Sequence, residues 1–257
     1  MTLLGSLRVI IRVLLAAVWT AGLFLARLAV WPLRLVSPRL ETRYRGAVVR
    51  LWARVVWAIM GMRVTVRGGP PKPPFFLVSN HVSHVDIYLM AGLLGCTFVA
   101  KSEVKTWPIL GVLARCGDII FVVRAKRSDT VRVNECIGEA LDRGHGVVMF
   151  AESTTSRGHE IRPFRTALLE PAVSNDCPVH YATIHYATGD GLSPASDWVC
   201  WWDGRPASFG MHLLRLLSKP GFRAEVTFGE APISAPDRKA LAQRLREAAM
   251  AQFTPIE

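Results

Sequence analysis

Phe75-Phe76-Leu77-Val78-Ser79-Asn80-His81-Val82-Ser83-His84-Val85-Asp86 is the stretch whose reading decides the fold. Its first five residues form a short apolar run that predicts a buried strand ending at Ser79. The apolar segment Ile87 to Leu94 that follows predicts a helix, so the polar residues between them sit at a strand-to-helix junction. His81 and Asp86, with four residues between them, are what a general base and its orienting partner require. Imidazole titrates near neutrality and can take a proton from an alcohol. A carboxylate can hold the far ring nitrogen, fix the tautomer and stabilise the imidazolium. Two plainer readings stand beside this one. Ser83 and Asp86 fit a capping box with Asp in place of the usual Glu. His81, His84 and Asp86 are also metal-ligand types, although nothing elsewhere supplies a second cluster with ligand spacing.

Outward from this stretch the composition is uneven. Of 257 residues, 51% are hydrophobic, and the formal net charge is +11. Residues 1–67 carry eleven arginines, no lysine and one acid, Glu41, whereas the remaining 190 residues are nearly neutral at +1. The arginines alternate with Leu, Val, Ile and Trp. That pattern suits an anionic membrane surface, with apolar faces buried and guanidinium groups at the phosphate level. A nucleic-acid arm would be basic and polar, so nucleic acid is not expected as a partner. Cys96, Cys116, Cys136, Cys177 and Cys200 are odd in number with no C-x-x-C pair, and read as reduced thiols on the cytosolic side.

Residues 9–36 are long, apolar and helix-permissive, but their charge-free core, Val13 to Ala26, falls short of a perpendicular span. A second helix over Arg43–Met60 places Val48, Val49, Trp52, Val55, Val56 and Ile59 on one face, with Arg43, Arg50 and Arg54 towards the other. Pro32 and Ser37-Pro38 mark the bend between them. The expectation is a helical hairpin over residues 1–62 that dips into one leaflet. From Arg63 the texture changes to short strands alternating with helices. Strands are expected at 63–67, 75–79, 97–100, 118–123, 147–151, 178–186, 198–202 and 223–228. Helices are expected at 107–113, 128–143 and 237–252. The fold class is therefore α/β, a mixed and mainly parallel central sheet flanked by helices and preceded by the N-terminal two-helix membrane-associating motif.

In such sheets functional groups gather at the carboxyl ends of strands. His81 follows one expected strand, Lys101 a second, Arg124 a third, and Glu152-Ser153-Thr154-Thr155-Ser156 a fourth. One cleft with a base, two cations and several hydroxyls suits an anionic substrate carrying an alcohol to be activated. A hydrolase using Ser83 or Ser153 as nucleophile is a competing reading, but no G-x-S-x-G elbow is present.

At these residues the chain resembles a known family. Asn80-His81-x-Ser83-x-x-Asp86 is similar to the N-H-x-S-x-x-D signature of the glycerolipid and lysophospholipid acyltransferases. Gly117-x-x-x-Phe121-Val122-x-Arg124 resembles their second block, Phe150 to Ser156 the third and Pro178-Val179 the fourth. The resemblance implies transfer of an acyl chain from acyl-CoA or acyl carrier protein, as co-substrate, to the hydroxyl of a lysolipid. It implies His81 as base, Asp86 as its orienting partner, Arg124 and Lys101 as binders of an acidic group, and Glu152, Ser153 and Thr154 around the acceptor. It implies no metal and no further cofactor. An α/β acyltransferase domain over residues 63–257, bound at the membrane with its active site on the cytoplasmic face, follows from the same likeness. The acceptor expected first is 1-acylglycerol-3-phosphate, giving phosphatidic acid. Two positions depart from the pattern: Ser153 stands where the family commonly has Gly, and Thr155 where many lysophosphatidate-type members have Arg. A lyso-ornithine-lipid acceptor is the alternative, and a non-catalytic membrane lipid-binding protein is a third reading.

Overall fold

Three helices open the chain: α1 (Leu3–Val30), α2 (Leu33–Val36) and α3 (Pro38–Met60). Thr2 caps α1 by accepting from Gly5 N–H at 3.2 Å, and Pro38 at the first turn of α3 fixes the bend. The computed structural model describes residues 2–106, 117–123, 127–174, 176–189, 192–202 and 208–257. After α3 come β1 (Met62–Arg67), β2 (Phe75–Ser79), α4 (Val85–Leu94), β3 (Thr97–Lys101) and β4 (Ile120–Val122). Then follow α5 (Arg127–Asp142), β5 (Gly146–Phe150), α6 (Glu170–Ser174) and β6 (Val179–Ala187). The chain closes with α7 (Ala195–Trp198), α8 (Phe209–Ser218), β7 (Phe222–Phe228) and α9 (Arg238–Ala251).

The seven strands form one sheet in the order β1-β7-β6-β2-β5-β3-β4, parallel except for the β6–β7 pair. β2 lies in the middle, and all five of its residues are buried, as a run without alternation requires. Its Phe75 and Leu77 pack on one side with α3, α4 and α8, while Phe76 and Val78 pack on the other with α5 and α9. Each such side chain contributes roughly 2 kcal/mol by leaving water, so the central strand is fixed in register and its carboxyl end is a stable platform.

The arginines of the N-terminal quarter are not uniformly turned to solvent. Arg12 donates to the carbonyls of Leu217, Lys219 and Pro220 at 2.6–3.0 Å, closing the end of α8. Arg50 and Arg54 donate to Leu94 O and Gly92 O at 2.8 and 3.0 Å, supplying the last turn of α4 with cations. Arg27 pairs with Glu41, and Arg45 with Asp118. α3 and α4 approach so closely at Gly46 and Gly95 that a Cβ on Gly46 would stand 2.8 Å from Gly95 O. With Arg12 and Arg27 drawn inward, α1 presents an outward face of Leu3, Leu7, Ile10, Leu14, Val18 and Leu25, all exposed. The stretch Leu3–Val36 is long and apolar enough to cross a membrane by length and composition.

The expected strand over 198–202 is absent, because its backbone has other partners. Residues 195–198 form the short α7, Val199 O accepts from Ser83 Oγ, and Trp201 N–H donates to Val82 O. This segment straps down the loop after β2 instead of joining a ladder. The expected helix over 107–113 lies outside the described residues.

Candidate active site

β2 delivers Asn80 to the sheet's carboxyl edge, where it is locked to β6. Its Oδ1 accepts from Ile184 N–H at 2.7 Å and its Nδ2 donates to Ile184 O at 3.1 Å. His81 then leaves the strand with its backbone held from both sides. Its N–H donates to Glu152 Oε1 at 3.0 Å, and its C=O accepts from Ser156 N–H at 2.9 Å. The ring stacks on Phe150, with centroids 4.0 Å apart and planes 9° off parallel.

His81 Nδ1 lies 2.7 Å from Asp86 Oδ2. Asp86 is wholly buried, and Oδ2 also accepts from Val82 N–H at 2.8 Å and Ser83 N–H at 3.0 Å. Its other oxygen accepts from Tyr186 O–H at 2.7 Å. The cap and the orienting acid are thus one group. A carboxylate can only accept, so it takes Nδ1–H and leaves Nε2 with a lone pair. The His81 side chain is 17% exposed against 0% for Asp86, so the acid reaches substrate only through the imidazole.

The dyad opens on a cavity of about 390 Å³ between the sheet and helices α1, α3 and α4. Leu23, Phe24, Val49, Trp52, Ile87 and Phe98 give it apolar walls, and Lys101, Ser153, Thr154 and Thr155 line it with His81. The structure therefore brings His81, Lys101, Ser153 and Thr154 to one space. Glu152 is differently placed. It is 3% exposed, and its Oε2 accepts from Arg162 N–H at 3.2 Å while Oε1 holds His81. Burial pushes its carboxyl up to about 7, against the pull of those two N–H donors. Arg124 lies outside the described residues.

Ser153 adopts φ +65°, a left-handed conformation that costs an L-residue about 1–2 kcal/mol. The departure at this position, Ser where the resemblance has Gly, therefore falls where backbone freedom is needed. Ser83 is fully buried and spends its hydroxyl on Val199 O at 2.7 Å, which removes it as a nucleophile. His84 also lines the cavity, but burial, together with the neighbouring His212 and His81, lowers its pKa to about 3. It stays neutral, and among the described residues no carboxylate is hydrogen-bonded to it, whereas His81 has Asp86. Among the described residues no group of three His, Cys, Asp or Glu side chains is placed to hold a metal ion.

Sequence reasoning missed Tyr186 and the strap around Trp201. Tyr186 carries no signal beyond an aromatic at an inward strand position, and its role depends on β6 lying beside β2.

Comparison with known proteins bears on the family and the fold. The model of the Acyltransferase family matches residues 63–184. The chain is 32% identical to the lyso-ornithine lipid O-acyltransferase of Rhizobium meliloti over 81% of its own length and 75% of the relative's. It is 29% identical to the Brucella abortus protein of the same name, over 95% and 92% of the two chains. With the 1-acyl-sn-glycerol-3-phosphate acyltransferase of Neisseria meningitidis serogroup B it shares 34% identity, covering 66% of this chain and 70% of that one. The crystal structure of the Thermotoga maritima 1-acyl-sn-glycerophosphate acyltransferase PlsC has the same fold. It superposes with a TM-score of 0.63 at 19% identity, covering 95% of this chain and 93% of that one. With these relatives, and with a histidine that lines an apolar cavity and is backed by a buried aspartate, this protein is a member of the acyltransferase family, of the lysolipid type.

Proposed function

We propose that the chain is a membrane-bound O-acyltransferase that acylates the hydroxyl of a lyso-ornithine lipid. The carrying observation is the His81–Asp86 pair, 2.7 Å apart, at the wall of an apolar cavity. In the step that follows, the acceptor hydroxyl gives its proton to His81 Nε2 while its oxygen attacks the thioester carbonyl carbon. The tetrahedral intermediate collapses with cleavage of the C–S bond, and the imidazolium returns the proton to the leaving thiolate. Acyl-CoA or acyl carrier protein is the donor, arriving from the cytoplasmic side, and the helices of residues 1–62 hold the enzyme in the membrane. Lys101 meets an acidic group of the acceptor, while Ser153 and Thr154 shape its site. Glu152 acts through the backbone of His81.

The acceptor reading rests on Thr155. It lines the cavity at the position where, by the family resemblance, many lysophosphatidate-type members have Arg, so a phosphate monoester would find one cation fewer. The relatives from Rhizobium meliloti and Brucella abortus act by name on lyso-ornithine lipid. 1-Acylglycerol-3-phosphate is the second reading, supported by the Neisseria relative. Purified enzyme is given an acyl thioester and each lysolipid in turn, with His81→Ala as control. Transfer to lyso-ornithine lipid by wild type alone is expected. Equal transfer by both proteins removes His81 from the mechanism, and transfer confined to 1-acylglycerol-3-phosphate reverses the acceptor.

A further inference from the structure

At the opposite end of β2 from His81 lies a second cavity, of about 600 Å³. It opens beside Pro73-Pro74 and His145, which precede the first residues of β2 and β5, so a strand's length of roughly 16 Å separates it from the dyad. Arg39, Arg43 and Arg50 of α3 line one side, and Arg143, just beyond α5, lines the other. Four guanidinium groups there face one carboxylate, Asp142.

Helical spacing explains the gathering. Positions 39, 43, 46 and 50 share one face of α3, and Gly46 lets that face press on Gly95 at the end of α4. Arg50 spends Nη2 on Leu94 O, but its Nε is buried with no hydrogen-bond partner. Arg143 lies 3.6 Å from Glu139, too far for a tight pair. The positive field is felt nearby: after burial, Arg45 and Arg143 are the causes that lower the pKa of His145, to about 3. The next face of α3 around from the arginines is apolar and open. Leu40 and Leu51 are 51% and 49% exposed, and Ala47 is shared between that face and the cavity rim.

We infer that this cavity binds a phosphate group, that of an anionic membrane phospholipid, at a site separate from the acyl-transfer centre. The acyl chains run along Leu40 and Leu51, and the headgroup turns in between α3 and Arg143. Planar guanidinium groups arranged around a pocket match phosphate oxygens in pairs. Basic pockets at the membrane surface recognise acidic headgroups by this chemistry.

Binding rather than turnover tests it, so the result is independent of the acceptor reading. Full-length protein is floated with phosphatidylcholine vesicles, with and without phosphatidylglycerol. Wild type is compared with Arg43→Gln/Arg143→Gln and with Arg34→Gln/Arg63→Gln, which removes the same charge from exposed positions outside the cavity. The preference for phosphatidylglycerol is expected to fall about tenfold in the cavity variant and far less in the other. Arg43→Lys/Arg143→Lys, which keeps charge and bulk, should also lose most of it, and serves if the Gln variant does not fold. In a second arm, melting temperature is measured in inorganic phosphate against chloride at equal ionic strength. Equal losses in the two Gln variants overturn the site in favour of diffuse attraction. Protection by inorganic phosphate that depends on Arg43 and Arg143, without any vesicle preference, overturns the lipid as occupant and leaves soluble phosphate.

Discussion

Glu152→Gln is the perturbation that separates holding the base from touching the substrate. In the native protein the Glu152 carboxyl is buried and its pKa rises from the ordinary 4.5 to about 7, despite N–H donation from His81 and Arg162. Below about pH 4 the group is protonated in both folded and unfolded chains and adds no pH dependence. Between 4.5 and 7 the unfolded chain has lost the proton that the native state keeps, so stability falls as pH rises. Across that window the loss amounts to about 3 kcal/mol, complete a little above pH 7.

Glutamine has no proton to lose. Its oxygen can keep the His81 N–H bond, but its NH2 would face Arg162 N–H, at a cost of about 1–2 kcal/mol. The variant should therefore be less stable than wild type at pH 4, and equal or more stable at pH 8. Urea unfolding in detergent, followed by tryptophan fluorescence from pH 4 to 8, gives the difference curve. A flat difference would mean that the two N–H donors cancel the burial and that Glu152 titrates alike in both states. At pH 8 activity should largely survive in Glu152→Gln, because the His81 N–H keeps an acceptor. Loss of activity with intact stability there would refute the positioning role.

Asp86→Asn removes the negative charge that stabilises the imidazolium and replaces one of two accepting oxygens with an NH2, so it should cut kcat by about 10³–10⁴, read with saturating lysolipid. Tyr186→Phe strips one donor from the buried Asp86 Oδ1, which should lower stability by about 1–3 kcal/mol and kcat more than KM. Ser153→Gly relieves the left-handed strain and should raise stability by about 0.5–1 kcal/mol, whereas Ser153→Ala, which keeps the Cβ, should not. Val49→Phe narrows the cavity from α3 and should reduce turnover of long-chain thioesters about tenfold while sparing short ones.

The layered α/β fold was legible because β2 and β5 are unbroken apolar runs, which only a parallel sheet buried on both sides explains. His81 and Asp86 were legible because both lie in one loop, so local spacing carries their geometry. Tyr186 and Glu152 were harder for the opposite reason. Tyr186 meets Asp86 across a sequence separation of 100, and Glu152 turns its carboxylate towards the His81 backbone and away from the cavity. Helical patterning assigned Arg50 and Arg54 to a polar face. It could not show that this face meets the end of α4, because amphipathicity does not distinguish water from unsatisfied carbonyls.

An apolar cavity resembles the bilayer from which a lysolipid comes. Burying a methylene is worth about 0.8 kcal/mol relative to water, but moving it from lipid tails into Phe24, Trp52 and Phe98 changes little. On the proposed function, then, the acyl chain cannot supply much discrimination between acceptors that share the same tail. The difference must be made at the polar end, where Lys101, Ser153, Thr154 and Thr155 stand with His81. Replacing Thr155 with Arg adds a bidentate cation there. The variant should therefore gain on a phosphate monoester and lose on a zwitterionic headgroup, moving the ratio of kcat/KM for the two lysolipids while the dyad is untouched.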